Sequence, residues 1–322
     1  MGKKVFSFLK LAPLVSAATA LIISLSGCGV SGLFGSGVTV NGRASLGPVE
    51  GALVELRCAD AAEDEAPLGT GETDESGNFK IKLDSKPDCA VVATITGGSY
   101  KEEATGATVS LEGKVLHGIV PKFDSDEESF AITALTEIAY QRFEELASHY
   151  DDLSEEDLAN FAELANDEVG ASAGVNFKIA QTLPADPKNP ESDKDSFANL
   201  YALVNAGLSV LATSLGKYSY DMAVGVGSFG ADFTNGSFGS GSSWSTLDDK
   251  INTWLGSSAN SGGFVPPSTG LMAPPTLVPD MDFTQYELPD TAPHTALPGI
   301  PSNQYSTPTG AGVASIPPMN GV

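Results

Sequence analysis

Between residues 38 and 120 the apolar positions recur at every second residue. Phe79-Lys80-Ile81-Lys82-Leu83 sets apolar side chains apart with Lys between them, the period of a strand buried on one face. Ala52-Leu53-Val54-Glu55-Leu56-Arg57-Cys58 places Val54, Leu56 and Cys58 on one face, and Cys89-Ala90-Val91-Val92-Ala93-Thr94-Ile95 does the same for Cys89, Val91, Ala93 and Ile95. Gly, Pro and Asp turns separate these runs. Asp74-Glu75-Ser76-Gly77-Asn78 predicts a hairpin turn, with Gly77 free to adopt positive φ. About seven strands at this spacing predict a β-sandwich over residues 38–122.

From residue 128 the period becomes helical. Leu135, Ile138, Ala139, Phe143 and Leu146 share one helix face. Ser154-Glu155-Glu156-Asp157 reads as a helix start with an acidic first turn, followed by the apolar positions Leu158, Phe161, Leu164 and Ala165. Phe197, Leu200, Tyr201, Val204, Leu208, Leu211 and Leu215 form a third stripe that ends near Gly216. Residues 128–220 are thus expected to form a small helical domain, with a proline-marked loop at 183–190 between the second and third helices. Residues 221–256 are Gly/Ser-rich, with a short amphipathic helix expected over 246–255. Residues 257–322 include a segment, from Val265 onward, that carries 12 of the 20 Pro and no Lys or Arg. This segment has too little apolar area to offset its ordering entropy and is expected to be a disordered tail. The predicted fold class is therefore α+β.

Ahead of all this stands a different pattern. Lys3, Lys4 and Lys10 are the only charges before Cys28, residues 11–25 are apolar or small, and Leu25-Ser26-Gly27-Cys28 follows. A basic start, an apolar centre and small residues before a cut describe a secretory signal peptide. Leu-Ser-Gly-Cys resembles the lipobox of bacterial lipoproteins. The resemblance implies cleavage between Gly27 and Cys28, lipid on the Cys28 thiol, and acylation, palmitate included, of the new amine. An ordinary signal peptide that ends near a Cys, or an uncleaved helix, is the competing reading. The apolar stretch is shorter than the roughly 20 residues a spanning helix needs, and no other segment reads as a span. Residues 29–37, rich in Gly and Ser, form a flexible tether. Gly29 stands where Asp would resemble the inner-membrane retention signal, which favours the outer membrane in a Gram-negative source.

Charge then narrows the partners. The chain's net charge is −24, and it becomes −27 once residues 1–27 are removed. Such a surface repels nucleic acid and anionic headgroups, so nucleic-acid partners are excluded. With Cys28 lipidated, Cys58 and Cys89 remain. An exported chain lies in an oxidising compartment, and both lie on inward-facing positions, so a disulfide between them is expected.

Gly47-Pro48-Val49-Glu50-Gly51-Ala52-Leu53-Val54 followed by Thr73-Asp74-Glu75-Ser76-Gly77-Asn78-Phe79 resembles the carboxypeptidase regulatory-like domain, also called transthyretin-like. Cys58 and Cys89 stand where many bacterial members carry a pair. The segments at 97–106 and 132–139 are similar to exported proteins in which helices follow this sandwich. The resemblance spans roughly residues 38–215. It implies an N-terminal, seven-stranded Ig/transthyretin-like β-sandwich, and it says little about function, since such modules serve widely as accessory domains.

No catalytic constellation emerges from the residues. A zinc hydrolase needs His and carboxylate ligands at close spacing, whereas His117, His149 and His294 are the only histidines and none has a partner His at a ligand offset. Many Ser occur in residues 227–245, but none of them in a G-x-S-x-G elbow between a strand and a helix, and no phosphate-binding Gly loop follows a predicted strand. Asp124-Ser125-Asp126-Glu127-Glu128 and the acids at 151–157 offer hard oxygens to Ca²⁺, but neither matches an EF-hand loop. They read as a solvated loop and a helix N-terminus favoured by the helix dipole. Phe229, Phe233, Phe238, Trp244 and Trp254 either pack on a partner or fold back onto the helices. The expectation is a non-enzymatic envelope lipoprotein without cofactor or metal. It is expected to be anchored by lipid in the cell envelope, at the outer membrane, facing the periplasm or the cell surface, with an envelope protein or a glycan as partner. The competing expectation is an envelope hydrolase with an unfamiliar active site in residues 128–260.

Overall fold

The computed structural model describes residues 37–62, 64–224 and 247–268. Those residues form a mixed α+β fold of ten strands and five helices. One sheet has β1 (Thr39–Ser45) at its centre, antiparallel to β5 (Asn78–Lys82) and parallel to β10 (Glu127–Thr133). A second has the order β4 (Gly69–Glu72), β3 (Leu53–Cys58), β6 (Val91–Thr96) and β9 (Val115–Val120), all antiparallel. A small third sheet joins β2 (Val49–Glu50), β7 (Ser99–Lys101) and β8 (Thr108–Ser110).

The two larger sheets meet through β4 against β5 and β9 against β10. Their inward residues, among them Val40, Val54, Leu56, Ile81, Val91, Ile95 and Phe130, share one core. Gly69 and Gly71 allow the approach on one side. A Cβ at either would lie 2.6 or 2.9 Å from the Ile81 side chain. The Asp74–Asn78 turn forms as its sequence predicts, with Gly77 at φ 77° and Asp74 Oδ1 accepting from the Ser76 and Asn78 amides.

Two expectations are corrected here. About seven strands expected over 38–122 become nine, among them β2, β7 and β8, which are only two or three residues long, too short for alternation to reveal. Residues 128–133, expected to be helical, belong to the strand β10. Phe130, Ala131 and Ile132 are all fully buried. A strand covered on both faces reads as a continuous apolar run and loses its period of two.

The helices α1 (Ala134–Ser148) and α2 (Glu155–Ser172) pack as a pair over the second sheet. There Phe143, Leu146, Leu158 and Phe161 meet Val92 and Ile119, the outward residues of β6 and β9. Ser154 and Asp157 form a reciprocal capping box at the start of α2, as read from the sequence. Helix α3 (Phe197–Ser214) lies in the main core beside α4 (Ser219–Val224) and α5 (Leu247–Leu255). It is apolar on most sides, so Ala202, Leu203, Ala206 and Ala212 are buried along with the stripe, while its ends Phe197 and Leu215 are exposed. Contrary to the expectation of no further span, α3 has the length and mean hydropathy of a membrane-crossing helix, but 67% of that window is buried inside the protein. Gly207 lets α5 close on it, since a Cβ there would sit 2.6 Å from Ile251 Cγ1.

The helices and strands therefore share a core across residues 122–134. Residues 257–268, expected to be disordered, are packed. Phe264 is buried edge-on against Trp254, and Asn260 Oδ1 accepts from its amide at 2.8 Å. The tail from 269 onward lies outside the described residues.

Candidate functional site

The strongest chemical grouping joins β9 to the first two turns of α1. Thr133 ends β10 and caps α1, and Thr136 Oγ1 donates to His117 O at 3.1 Å, which fixes the helix start against β9. Glu137 is thereby set in the first turn, facing His117. Its Oε2 accepts from the His117 backbone amide at 2.6 Å and lies 3.0 Å from His117 Nδ1. Its Oε1 accepts from Gln141 Nε2, which also donates to Ala223 O on α4. One turn on, Tyr140 stacks on the imidazole at 4.2 Å between ring centroids and donates its hydroxyl to Glu144 Oε1 at 3.0 Å. Burial raises the Tyr140 hydroxyl above its ordinary range, with the nearby Glu144 charge adding to it. Burial likewise raises the Glu144 carboxyl, against the lowering effects of Tyr140 and His117.

A carboxylate bonded to Nδ1 fixes the ring and leaves Nε2 as the second functional nitrogen. Glu137 is buried and the imidazole side chain is 24% exposed, so the arrangement presents an oriented imidazole to solvent. The cross-strand neighbour of His117 on β6 is Thr94. Lys114 lies over the Tyr220 ring at 4.5 Å and 4.0 Å from Asp221 at the edge of the same face.

A second grouping is enclosed. Glu102, fully buried, accepts hydrogen bonds from the Ser209 and Ser219 hydroxyls, the Ser219 amide at 2.9 Å and the Tyr100 hydroxyl at 3.2 Å. It ties the small sheet to α3 and α4. Beside it, both carboxylate oxygens of Glu103 are buried without a hydrogen-bond partner of normal geometry. Burial, reinforced by Glu102, pushes the Glu103 carboxyl up to about 8, with only the Gly47 amide opposing.

Of the residues singled out in the sequence, Cys58 and Cys89 are bonded, with their Cα atoms 5.6 Å apart. Gly27, Cys28, His294, Phe229, Phe233, Phe238 and Trp244 lie outside the described residues. Trp254 turns inward, 2% exposed, and its Nε1 donates to Glu103 O. The acids at 124–128 organise their own turn, since Glu128 Oε1 accepts from the Asp124 and Ser125 amides. His149 lies 3.4 Å from Glu145 on the same helix. Among the described residues, no three His, Cys, Asp or Glu side chains gather to hold a metal ion.

The pairing of His117 with Glu137 escaped the sequence reading because the search was for carboxylates at helical offsets from each His. The contact instead spans a strand and a helix 20 residues apart. The signal that locates it is Thr133-x-x-Thr136, which fixes where α1 begins and thus which face carries Glu137.

No family model and no curated protein matches this chain. Among solved structures, a 9R-lipoxygenase from Cyanothece PCC8801 is similar over 34% of this chain and 18% of its own, at 16% identity and a TM-score of 0.21. At that score the likeness carries no argument about fold or function.

Proposed function

We propose that this chain is an exported lipoprotein, held at the cell envelope by lipid on Cys28, whose folded part binds or scaffolds and does not catalyse. The observation that carries this reading is the run from Met1 to Cys28, where three Lys, an apolar centre and Leu-Ser-Gly-Cys follow in the order export and lipidation require. The Cys58–Cys89 bond supports it, because structural disulfides persist in oxidising compartments. Lipid on the new amine as well as the thiol gives stable anchoring, which one chain does not. Gly29, standing where Asp would resemble the inner-membrane retention signal, favours the outer membrane in a Gram-negative source. In the finer fold reading, the two larger sheets are the layers of a carboxypeptidase regulatory-like sandwich, placed nearest the membrane by the tether 29–37. An envelope protein or glycan is the partner.

Growth with labelled palmitate tests the anchor. The wild-type chain takes up label and sediments with membranes, and Cys28→Ser does neither. A Cys28→Ser chain that remains labelled would refute the assignment.

One observation favours the alternative of an envelope hydrolase, namely the imidazole of His117 held by Glu137 at the surface. That reading requires the purified chain to cleave an ester, peptide or glycan and to lose this activity in His117→Ala.

A further inference from the structure

Residues 247–268 form a strap across α3. Helix α5 seats Leu247 and Ile251 at Gly207, where the missing Cβ leaves room for them. Phe264 packs edge-on against Trp254, and at the far end the Ser268 amide donates to Asp195 Oδ1 at 2.5 Å. Between these ends Trp254 Nε1 donates to Glu103 O at 3.2 Å, which ties the strap to the loop that follows β7. That loop meets polar groups the fold leaves unsatisfied. Glu103 is half-buried as a residue, yet both of its carboxylate oxygens are sealed from solvent and lack a hydrogen-bond partner of normal geometry. The Ala104 amide donates to Ser209 Oγ on α3. Asn205 lies one turn earlier on the same helix face, and its side-chain oxygen and nitrogen are likewise buried without a partner. Glu102 shows the contrast, since three hydroxyls and the Ser219 amide satisfy it. A carboxylate deprived of both water and donors is costly, so such a group keeps its proton instead. The closed strap therefore accommodates Glu103 in its neutral form.

We infer that Glu103 is a proton-operated latch: the strap 247–268 stays closed on α3 while this carboxyl holds its proton, and lifts to let water reach the carboxyl when it ionises. The surrounding charges set the direction. Burial and the Glu102 carboxyl both disfavour a charge on Glu103, the Gly47 amide favours one, and the balance pushes the carboxyl up to about 8. Helix α3 brings no Asp, Glu, Lys or Arg, and its Tyr201 hydroxyl is engaged with Thr133. Helix α4 brings Asp221, which lies 4.0 Å from Lys114. Helix α5 brings Asp248, Asp249 and Lys250. The small sheet adds Lys101, which is exposed. Once the strap lifts, Glu103 returns to its ordinary value of 4.5. Between 4.5 and 8 the closed state thus holds one more proton than the open state. Closure is strongest below this window and weakens about tenfold for each unit as pH rises through it. The Ser268 contacts hold Asp195 below its ordinary range, so that tie keeps its charge across the window. Asp248 is raised by burial and by Asp249, and substitution of Glu103 alone separates its effect. The inference goes beyond the lipid anchor and does not depend on it.

Hydrogen exchange of the purified full chain between pH 5 and 8, read by mass spectrometry and corrected for the intrinsic rate, tests this. The core strand β6 reports opening of the whole fold, and α5 reports the strap. In the wild type α5 is expected to be less protected than β6 at every pH, and to lose protection by about a thousandfold across the range. Glu103→Gln, neutral throughout, is expected to keep most of that protection at pH 8. Trp254→Phe removes the N–H donated to Glu103 O. It is expected to lower α5 protection by about tenfold or less at every pH, with the slope unchanged. Circular dichroism establishes that both variants are folded. Equal protection of α5 and β6 in the wild type would overturn the inference, because the strap would then open only with the whole fold. A pH slope in α5 that persists in Glu103→Gln would overturn it too.

Discussion

Glu103 is the residue whose environment most departs from what its chemistry favours. Its carboxylate oxygens are buried, with no hydrogen-bond partner of normal geometry and only the Gly47 amide nearby to offset burial, beside the fully buried Glu102, while the backbone oxygen of the same residue accepts from Trp254 Nε1 at 3.2 Å. Burial and that neighbour raise its carboxyl from 4.5 to about 8. In the unfolded chain the proton is lost near 4.5, and in the folded chain it is kept until about 8. The folded state therefore binds more protons across this window, and stability falls as pH rises through it. Glu103→Gln keeps a neutral side chain at every pH. It is predicted to match the wild type near pH 4.5 and to exceed it by a few kcal/mol at pH 8. Thermal unfolding of the two chains across pH checks this, and equal pH dependence of both would contradict it. None of this was legible in the sequence, where Glu102-Glu103 follows a strand of three residues, too short to show a period. What encloses the pair is α3, α4 and α5, which join it from more than a hundred residues further along the chain.

At the scale of the elements, the readable features are those set by local chemistry. The Phe79–Leu83 alternation, the Gly77 turn and the Ser154 cap each depend on residues within a few positions, and each forms as its pattern requires. The cap yields a direct prediction. Ser154→Ala removes the acceptor for the Asp157 amide and the hydroxyl donated to Asp157 Oδ2 at 2.6 Å. The expected cost is about 1 kcal/mol, seen in chemical denaturation, and Ser154→Asp is expected to restore most of it. Elements buried on every side were harder to read. β10 and α3 each carry apolar residues on more than one face, so their periods blur, and the apolar run of β10 reads equally as helix. The site at His117 was hidden for a related reason. Its partner Glu137 arrives only through the pairing of β10 with β1 and the capped entry into α1.

For the whole molecule, one covalent link and one proposed anchor frame the behaviour. The Cys58–Cys89 bond ties the end of β3 to the approach to β6 and closes a loop of 31 residues. A loop of that length restricts the unfolded chain by about 3–4 kcal/mol in the chain-entropy account. The double variant Cys58→Ser/Cys89→Ser is predicted to unfold at lower denaturant concentration by that margin, with the α+β fold retained at low temperature. The disulfide agrees with the proposed export, because structural disulfides form and persist chiefly in oxidising compartments. Both points bear on the amino terminus, where we propose Cys28 as the membrane attachment. The most direct test is the mass of the amino-terminal peptide of the protein isolated from membranes. The account predicts a peptide beginning at Cys28 and carrying diacylglyceryl and an acyl chain on its amine. A peptide that begins upstream of Cys28, or a Cys28 with an unmodified thiol, would contradict it.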